Sequence, residues 1–233
     1  PLVLLCMNDI GYRNLIALVS IGYLEGFYYK PRVDKEVLKK HSEGLIALSG
    51  GIRAEIPHNI NIGQMEKARK AAKEYVEIFG KDNFYIELIR SGVLEHERAN
   101  EELTKFARES GIPMVAANDV HYLKREYQQA HEVLGCIQSQ NTLEDPNRRR
   151  SVTDQFYFKS QEEMKKLFND LPEALENTGK IAARCDLTLD FTKTHLPHFE
   201  PPKGKTQEAY LRELTLEGLK RRYTTLTKVI EDR

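Results

Sequence analysis

Short apolar runs alternate with amphipathic helical segments between residues 45 and 117, and this alternation constrains the fold more than any other sequence feature. The runs typical of buried strands are Leu45–Ser49, Phe84–Ile89 and Pro113–Ala117. Between them, Gln64–Phe79 and Glu95–Ser110 carry apolar residues at helical spacing, and each is followed by a glycine. Strand and helix in this order predict an α/β fold with a parallel sheet and right-handed crossovers. The periodicity alone fits an open sheet and a barrel equally well.

The flanking segments add helices and one Pro-rich stretch. We predict further strands over Leu2–Cys6 and Leu187–Leu189, a polar loop over Asn141–Asp154, and helices over Tyr12–Leu24, Lys35–Lys40, Arg125–Ile137, Ser160–Phe168, Leu171–Arg184 and Thr206–Tyr223. Three prolines and a glycine lie within residues 191–205, which is typical of a linker. The chain is therefore predicted to divide into a domain at 1–190, a linker at 191–205 and a further region at 206–233.

Composition excludes several classes of protein. The chain has 233 residues, with 35 Lys and Arg against 35 Asp and Glu, so it is not a uniformly basic nucleic-acid coat. No apolar run is long enough for a membrane helix. Its cysteines are Cys6, Cys136 and Cys185, which form no CxxC pair and lie in apolar stretches; we expect small core residues in a reducing cytoplasm. Because the sequence begins at Pro1 without Met, we expect a piece of a longer protein.

Polar residues follow the predicted strands at their carboxyl ends, where α/β proteins collect their functional groups. The three segments are Ser49–Gly51, Ile89–Gly92 and Asn118–His121. Asp119 and His121 lie two apart on an extended chain, so their side chains point to the same side. A carboxylate and an imidazole placed in this way can bind a divalent metal, and the alternative is an Asp turn or cap beside a hydrogen-bonded His. The sequence leaves both interpretations open.

Two clusters of basic residues are candidates for phosphate contact. They are Arg148-Arg149-Arg150, in the polar loop, and Lys220-Arg221-Arg222, at the end of the last helix. Solvated surface charge is the alternative for both clusters. Among the histidines, His41 and His96 are expected to be solvated on helix faces, whereas His131 lies on an apolar helix face and is expected to be partly buried.

Longer strings of residues resemble a known family, the alpha subunit of bacterial DNA polymerase III. The resemblance runs in order along essentially the whole chain and is carried mainly by Asn8–Leu15, Tyr23–Arg32, His41–Ser49, Asn118–Leu123 and Asp170–Thr178. It implies the family's N-terminal PHP (polymerase and histidinol phosphatase) domain, a distorted (β/α)7-type barrel of parallel strands ringed by helices, present here incompletely. The last helix resembles the start of the polymerase palm.

The resemblance also implies where a PHP metal site stands and how this chain departs from it. Family members with an intact site have Cys at the position of Gly51 and Asp-His at the positions of Arg90 and Ser91. Asp119 and His121 match the family's last metal motif. The first metal motif and the polymerase aspartates belong to segments outside this chain. A guanidinium opposes cation binding, so we expect Arg90 to pair with a leftover carboxylate such as Asp119.

The resemblance implies a role within a DNA polymerase. The parent protein would synthesise DNA with Mg²⁺ held outside this chain, while the decayed zinc or manganese site would leave the PHP region inactive. The region would then stabilise the polymerase and dock the proofreading exonuclease subunit, next to the rest of the holoenzyme and DNA, with no membrane. The alternatives are an active metal-dependent phosphoesterase or 3′–5′ exonuclease, and an unrelated α/β domain.

Overall fold

The computed structural model describes residues 1–148, 150–194, 196–223, 225 and 227–231. These residues form two compact units, Pro1–Thr188 and Leu189–Arg233. One candidate residue from the sequence, Arg149, lies outside the described residues. The predicted boundaries at 190 and 205 stay a prediction.

The first unit contains a four-stranded sheet and eight α-helices among its described residues. The strands are β1 (Val3–Cys6), β2 (Leu45–Leu48), β3 (Phe84–Ile89) and β4 (Met114–Ala117). The helices are α1 (Asp9–Leu24), α2 (Lys35–Lys40), α3 (Glu55–Asn61), α4 (Met65–Phe79), α5 (Leu94–Ser110), α6 (Gln128–Ser139), α7 (Gln161–Leu167) and α8 (Pro172–Arg184). Short 3₁₀ turns at Lys81–Asn83 and Arg125–Tyr127 precede β3 and α6.

The strands lie in sequence order, β1-β2-β3-β4. The β2–β3 and β3–β4 pairs are parallel, with Ala47 opposite Phe84 and Ile86 opposite Met114. The sheet is open, as expected for part of a barrel, and this mixed α/β architecture confirms the predicted fold class. One detail is corrected, because β1 runs antiparallel to β2. An apolar run specifies burial of a strand but not its direction, so the sequence pattern did not reveal this reversal.

Alternate residues of the central strands pack on opposite faces of the sheet, as a pleated strand requires. Phe84, Ile86 and Leu88 belong to the larger core, which includes apolar residues of α3, α4 and α5. Tyr85, on the opposite face, packs in a smaller cluster with Ile181 of α8. The sheet is therefore covered by helices on both sides, which explains why β2 is buried throughout.

Side-chain caps fix several helix starts where the sequence contains suitable residues. Asn8 accepts a hydrogen bond from the Gly11 N–H at 3.0 Å, and Asp34 caps α2 in the same way. Ser160 and Glu163 form a reciprocal capping box at α7. The prediction missed α3, a short helix whose proline is tolerated in the first turn.

Three further predictions are corrected by the fold. Residues 187–189 form no strand, because the chain continues without regular structure after α8 ends. Cys185 follows α8 and is exposed rather than a core residue, while Cys136 is buried and Cys6 half-buried. Its apolar stretch suggested burial, but Cys185 lies just beyond the end of the helix. His41, which was expected to be solvated, is half-buried at the end of α2.

The second unit contains α9 (Gln207–Arg222) and α10 (Lys228–Glu231). The Thr206 hydroxyl caps α9 by accepting a hydrogen bond from the Ala209 N–H at 3.2 Å. Before it, Phe199 stacks on Tyr210 with ring centroids 5.8 Å apart. In the part of the chain that the structure describes, no helix combines the length and apolar character needed to cross a membrane.

Candidate functional site

The candidate site lies at the carboxyl ends of β2, β3 and β4. Because these strands are parallel, the segments that follow them emerge at one edge of the sheet. A small cavity of about 10 Å³, room for roughly one water molecule, opens at this edge. Its lining is drawn from the strand ends and from α5, and includes Gly50, Gly51, Glu87, His96 and Asn100.

Asp119 and His121 contact each other rather than pointing toward a shared third group. The His121 Nε2 lies 3.2 Å from Asp119 Oδ1, and both side chains are about two-fifths exposed. The His121 ring packs 4.9 Å from the Phe156 ring and 5.4 Å from His131. Within the described residues, no three His, Cys, Asp or Glu side chains are arranged to hold a metal ion. The geometry is that of a carboxylate that orients an imidazole.

Arg90 pairs with Asp170, which corrects the expectation that it pairs with Asp119. Its guanidinium makes a two-point contact with the Asp170 carboxylate, at 2.5 and 2.8 Å, and also donates to the Leu167 carbonyl. It lies 4.8 Å over the ring of Phe168. The hydrogen bond from Arg90 lowers the pKa of Asp170. Arg90 therefore links the end of β3 to the turn between α7 and α8.

Gly51 and Ser91 occupy the other two positions where the family has metal ligands. A Cβ added to Gly51 meets only the Ile89 Cδ1, at 3.5 Å, so a side chain fits here although this chain lacks one. The Ser91 hydroxyl lies 3.0 Å from His96 Nδ1, and the Thr153 hydroxyl donates to the Ser91 carbonyl. His96 is thus hydrogen-bonded at the site, which corrects the expectation that it is solvated.

The sequence reasoning missed Glu87, which is buried in the middle of β3. Its Oε2 has no hydrogen-bond partner among the described residues. Burial raises the pKa of this carboxyl, and the nearby Asp119 charge raises it further, whereas a hydrogen bond from the Gly50 backbone has the opposite effect. A glutamate inside an otherwise apolar strand was the signal that should have marked it.

A second missed residue is Lys159, a buried lysine beside the strand ends. Its ammonium donates to Asn118 Oδ1 at 3.2 Å and to the Gln155 carbonyl, and burial lowers its pKa. Phe156, three residues before Lys159, belongs to a segment that crosses the strand-end edge. The Phe156 carbonyl accepts a hydrogen bond from the His121 N–H at 2.8 Å. This crossing segment covers part of the edge through backbone hydrogen bonds that residue patterns do not reveal.

In the basic run of the polar loop, Arg148 differs from the solvated surface charge that was the alternative prediction. Arg148 is largely buried, because its guanidinium pairs with Glu132 at 3.0 Å and donates to the Leu143 carbonyl at 2.9 Å. Arg150 is exposed, and Arg149 is outside the described residues. Arg148 therefore fastens the loop to α6, and phosphate contact by this run stays a prediction.

The open, mostly parallel sheet and its polar strand-end edge are consistent with a fold of the PHP type. Residues 1–91 match the family described as PHP domain. Over its whole length the chain is similar to DNA polymerase III alpha subunits, which confirms the resemblance predicted from the sequence.

Three of these relatives are named DNA polymerase III subunit alpha. The protein from Borreliella burgdorferi is 48% identical over 100% of this chain, that from Thermus aquaticus 47% over 95%, and that from Treponema pallidum 40% over 100%. The aligned regions are 20%, 19% and 20% of those proteins, respectively, so the chain spans about a fifth of the length of the relatives it matches.

Proposed function

We propose that this chain is the PHP-containing region of a DNA polymerase III alpha subunit, and that the parent protein synthesises DNA on a template. The support is the similarity to alpha subunits along the entire chain. Nucleotidyl transfer and its Mg²⁺ belong to parts of the parent protein outside this chain. A polymerase assay on the full-length protein tests this proposal, and we expect primer extension that requires Mg²⁺.

Within that parent, we propose that the PHP site has lost its metal-binding function. The observation that carries this proposal is the position of Arg90, whose cation stands at the end of β3, bound to Asp170. Gly51 offers no donor atom, and the Ser91 hydroxyl is engaged with His96. A zinc site needs three or four ligands, and a fixed guanidinium repels a divalent cation. The residues present therefore do not fit a zinc or manganese centre.

Elemental analysis of the full-length protein tests the loss of the metal site. We expect less than one zinc or manganese per molecule. The triple variant Gly51→Cys, Arg90→Asp, Ser91→His restores the family's ligand types, and it should gain zinc only while His121 is intact. Stoichiometric metal in the unmodified protein that disappears in a His121→Ala variant would contradict the proposal.

The second candidate function is a metal-dependent phosphoesterase or 3′–5′ exonuclease. The Asp119–His121 pair at the strand-end edge favours it, because both residue types bind catalytic metals. The test is removal of a mismatched 3′ nucleotide by full-length protein with added zinc or manganese. Activity that His121→Ala abolishes, while polymerisation persists, would establish this second function instead.

We also propose that the region stabilises the polymerase and docks the proofreading exonuclease subunit. A domain that has lost its metal chemistry still offers surfaces that bind other proteins. The first unit exposes large apolar side chains on α1 and on the loop that follows it, and such patches are typical of protein-binding surfaces. The test compares the full-length parent with a variant lacking residues 1–188. We expect the truncated parent to lose affinity for the purified exonuclease subunit, whereas unchanged affinity would contradict docking.

A further inference from the structure

An apolar cleft lies between α1 and the loop that follows it. Its volume is about 220 Å³. One wall is formed by α1, with Leu15, Leu18 and Val19, and the other by Pro31 and Val33. Among the residues that line the cleft, only Arg32 is charged, and the others at its exposed rim are aliphatic or aromatic. A cleft of this kind accepts an apolar side chain.

The loop beside the cleft displays aromatic rings in a fixed arrangement. Phe27, Tyr28 and Tyr29 are each more than half exposed, and Tyr29 reaches 83%. Tyr29 has a φ of 58°, a left-handed conformation that is costly for a tyrosine. The Arg32 guanidinium fixes the turn by donating to the Tyr28 carbonyl at 2.9 Å and lying 5.1 Å over the Tyr28 ring.

Two glycines hold this loop tightly against α1. A Cβ at Gly26 would lie 1.9 Å from the Arg32 carbonyl oxygen, which leaves room only for glycine. Gly22 faces Pro31 and Arg32 at ordinary van der Waals distance. The loop is therefore built against the helix rather than free, so little conformational entropy remains to be lost when its rings are covered.

The rim of the cleft carries positive charge without matching carboxylates. Lys30 and Arg32 are exposed, and neither has an Asp or Glu oxygen within 4.0 Å among the described residues. Exposed ion pairs elsewhere in the first unit, such as Arg69 with Glu109, show that this chain pairs surface cations when partners are near. A partner that fits this rim brings its own carboxylates.

We propose that this α1 cleft surface, comprising Val19, Tyr23, Tyr29, Lys30 and Arg32 around the cleft, binds a polypeptide segment of a protein partner. The segment inserts an aliphatic or aromatic side chain between α1 and the loop and places carboxylates beside Lys30 and Arg32. The inference rests on the proposed docking of the exonuclease subunit and names the surface that performs it. The aliphatic walls enclose a cleft of about 220 Å³ that fits an apolar side chain, which a peptide carries and a nucleotide does not, so the cleft favours a peptide over single-stranded nucleic acid.

The test measures affinity of the full-length protein for the purified exonuclease subunit by biolayer interferometry. Val19→Asp puts a carboxylate on the cleft wall at a position already half exposed, so folding should tolerate it. We expect affinity to fall at least about tenfold, the loss typical of a buried anchor. Ile137→Asp, on the exposed side of α6, is the matched control and should leave affinity and melting temperature unchanged.

A charge variant and a cross-linking variant test the geometry separately. Lys30→Glu should weaken binding severalfold at low salt and less at high salt, because it removes an electrostatic contact. A photoreactive benzoylphenylalanine in place of Tyr29 should cross-link to the exonuclease subunit. The same residue in place of Ile137 should not.

The outcomes separate this inference from the proposed function. If removing residues 1–188 abolishes binding but Val19→Asp and Lys30→Glu bind normally, the docking role stands and this surface is wrong. If the truncated parent binds with unchanged affinity, both proposals are wrong. If Val19→Asp instead lowers affinity for single-stranded DNA or shifts the parent between monomer and dimer, while the exonuclease subunit still binds normally, the peptide assignment is overturned.

Discussion

Two adjacent glycines after β2 differ sharply in what they tolerate. Gly50 has a φ of 80°, and a Cβ there would lie 2.4 Å from the Pro1 carbonyl oxygen, whereas a Cβ at Gly51 would make only an ordinary van der Waals contact with Ile89. We expect Gly50→Ala to lower the free energy of unfolding by about 1–3 kcal/mol, because alanine is strained in this backbone conformation. Gly51→Ala is the matched control and should change stability by less than about 0.5 kcal/mol in urea unfolding. Equal effects of the two substitutions would contradict the geometry.

The buried carboxyl of Glu87 predicts a pH dependence with a definite sign. Its pKa is raised in the folded chain, mainly by burial. The stability that this group contributes is therefore fully present below the unfolded pKa and is lost as the pH rises through the folded pKa. Glu87→Gln removes the buried charge, so we expect it to raise the free energy of unfolding at pH 8 and to change it little at pH 4. A substitution effect that is the same at both pH values would contradict this.

At the scale of elements, α8 is fastened to the sheet by its last residue. Arg184 donates to the Asp82 carbonyl at 2.7 Å, to the Tyr85 hydroxyl at 3.3 Å and to the Asn83 side chain. We expect Arg184→Ala to lower the free energy of unfolding by about 1–3 kcal/mol, since several acceptors beside the sheet lose a charged donor. Lys180→Ala, on the exposed face of the same helix, should cost less than about 0.5 kcal/mol by the same denaturation measurement.

Helices and strands were predictable where residue spacing and caps determine them locally. Contacts between residues far apart in the sequence were not predictable. Residue spacing and caps specify the strand Phe84–Ile89 and the start of α2 without reference to the rest of the chain. The ion-pair partner of Arg90 lies 80 residues away in the sequence. Only the folded chain reveals that Arg90 pairs with Asp170 rather than with Asp119. The antiparallel direction of β1 is likewise a tertiary property. For the candidate site, the strand ends were located correctly, while the Glu87 and Lys159 environments required the structure.

At the scale of the whole molecule, the sheet of the first unit is open, with β1 and β4 at its edges. The edges are only partly blocked: Asn177 of α8 donates to the Met114 carbonyl at 2.7 Å beside β4, and the Asp186 N–H donates to the Met7 carbonyl just after β1. The sheet edges and the α1 cleft surface are two different kinds of surface through which this unit can associate. They differ chemically, because one offers backbone hydrogen bonds and the other apolar side chains.

This difference leads to a prediction for residues 1–188 produced alone. An uncovered strand edge pairs with another copy, so we expect the isolated unit to self-associate and to melt over a broad temperature range. Sedimentation velocity and circular dichroism measure the two properties. Val3→Lys places a charge at an exposed position of β1 and should reduce self-association, whereas Val19→Asp on the α1 cleft surface should leave strand pairing unchanged. A monomer with a sharp, cooperative melt would show that the edges of this open sheet need no covering partner.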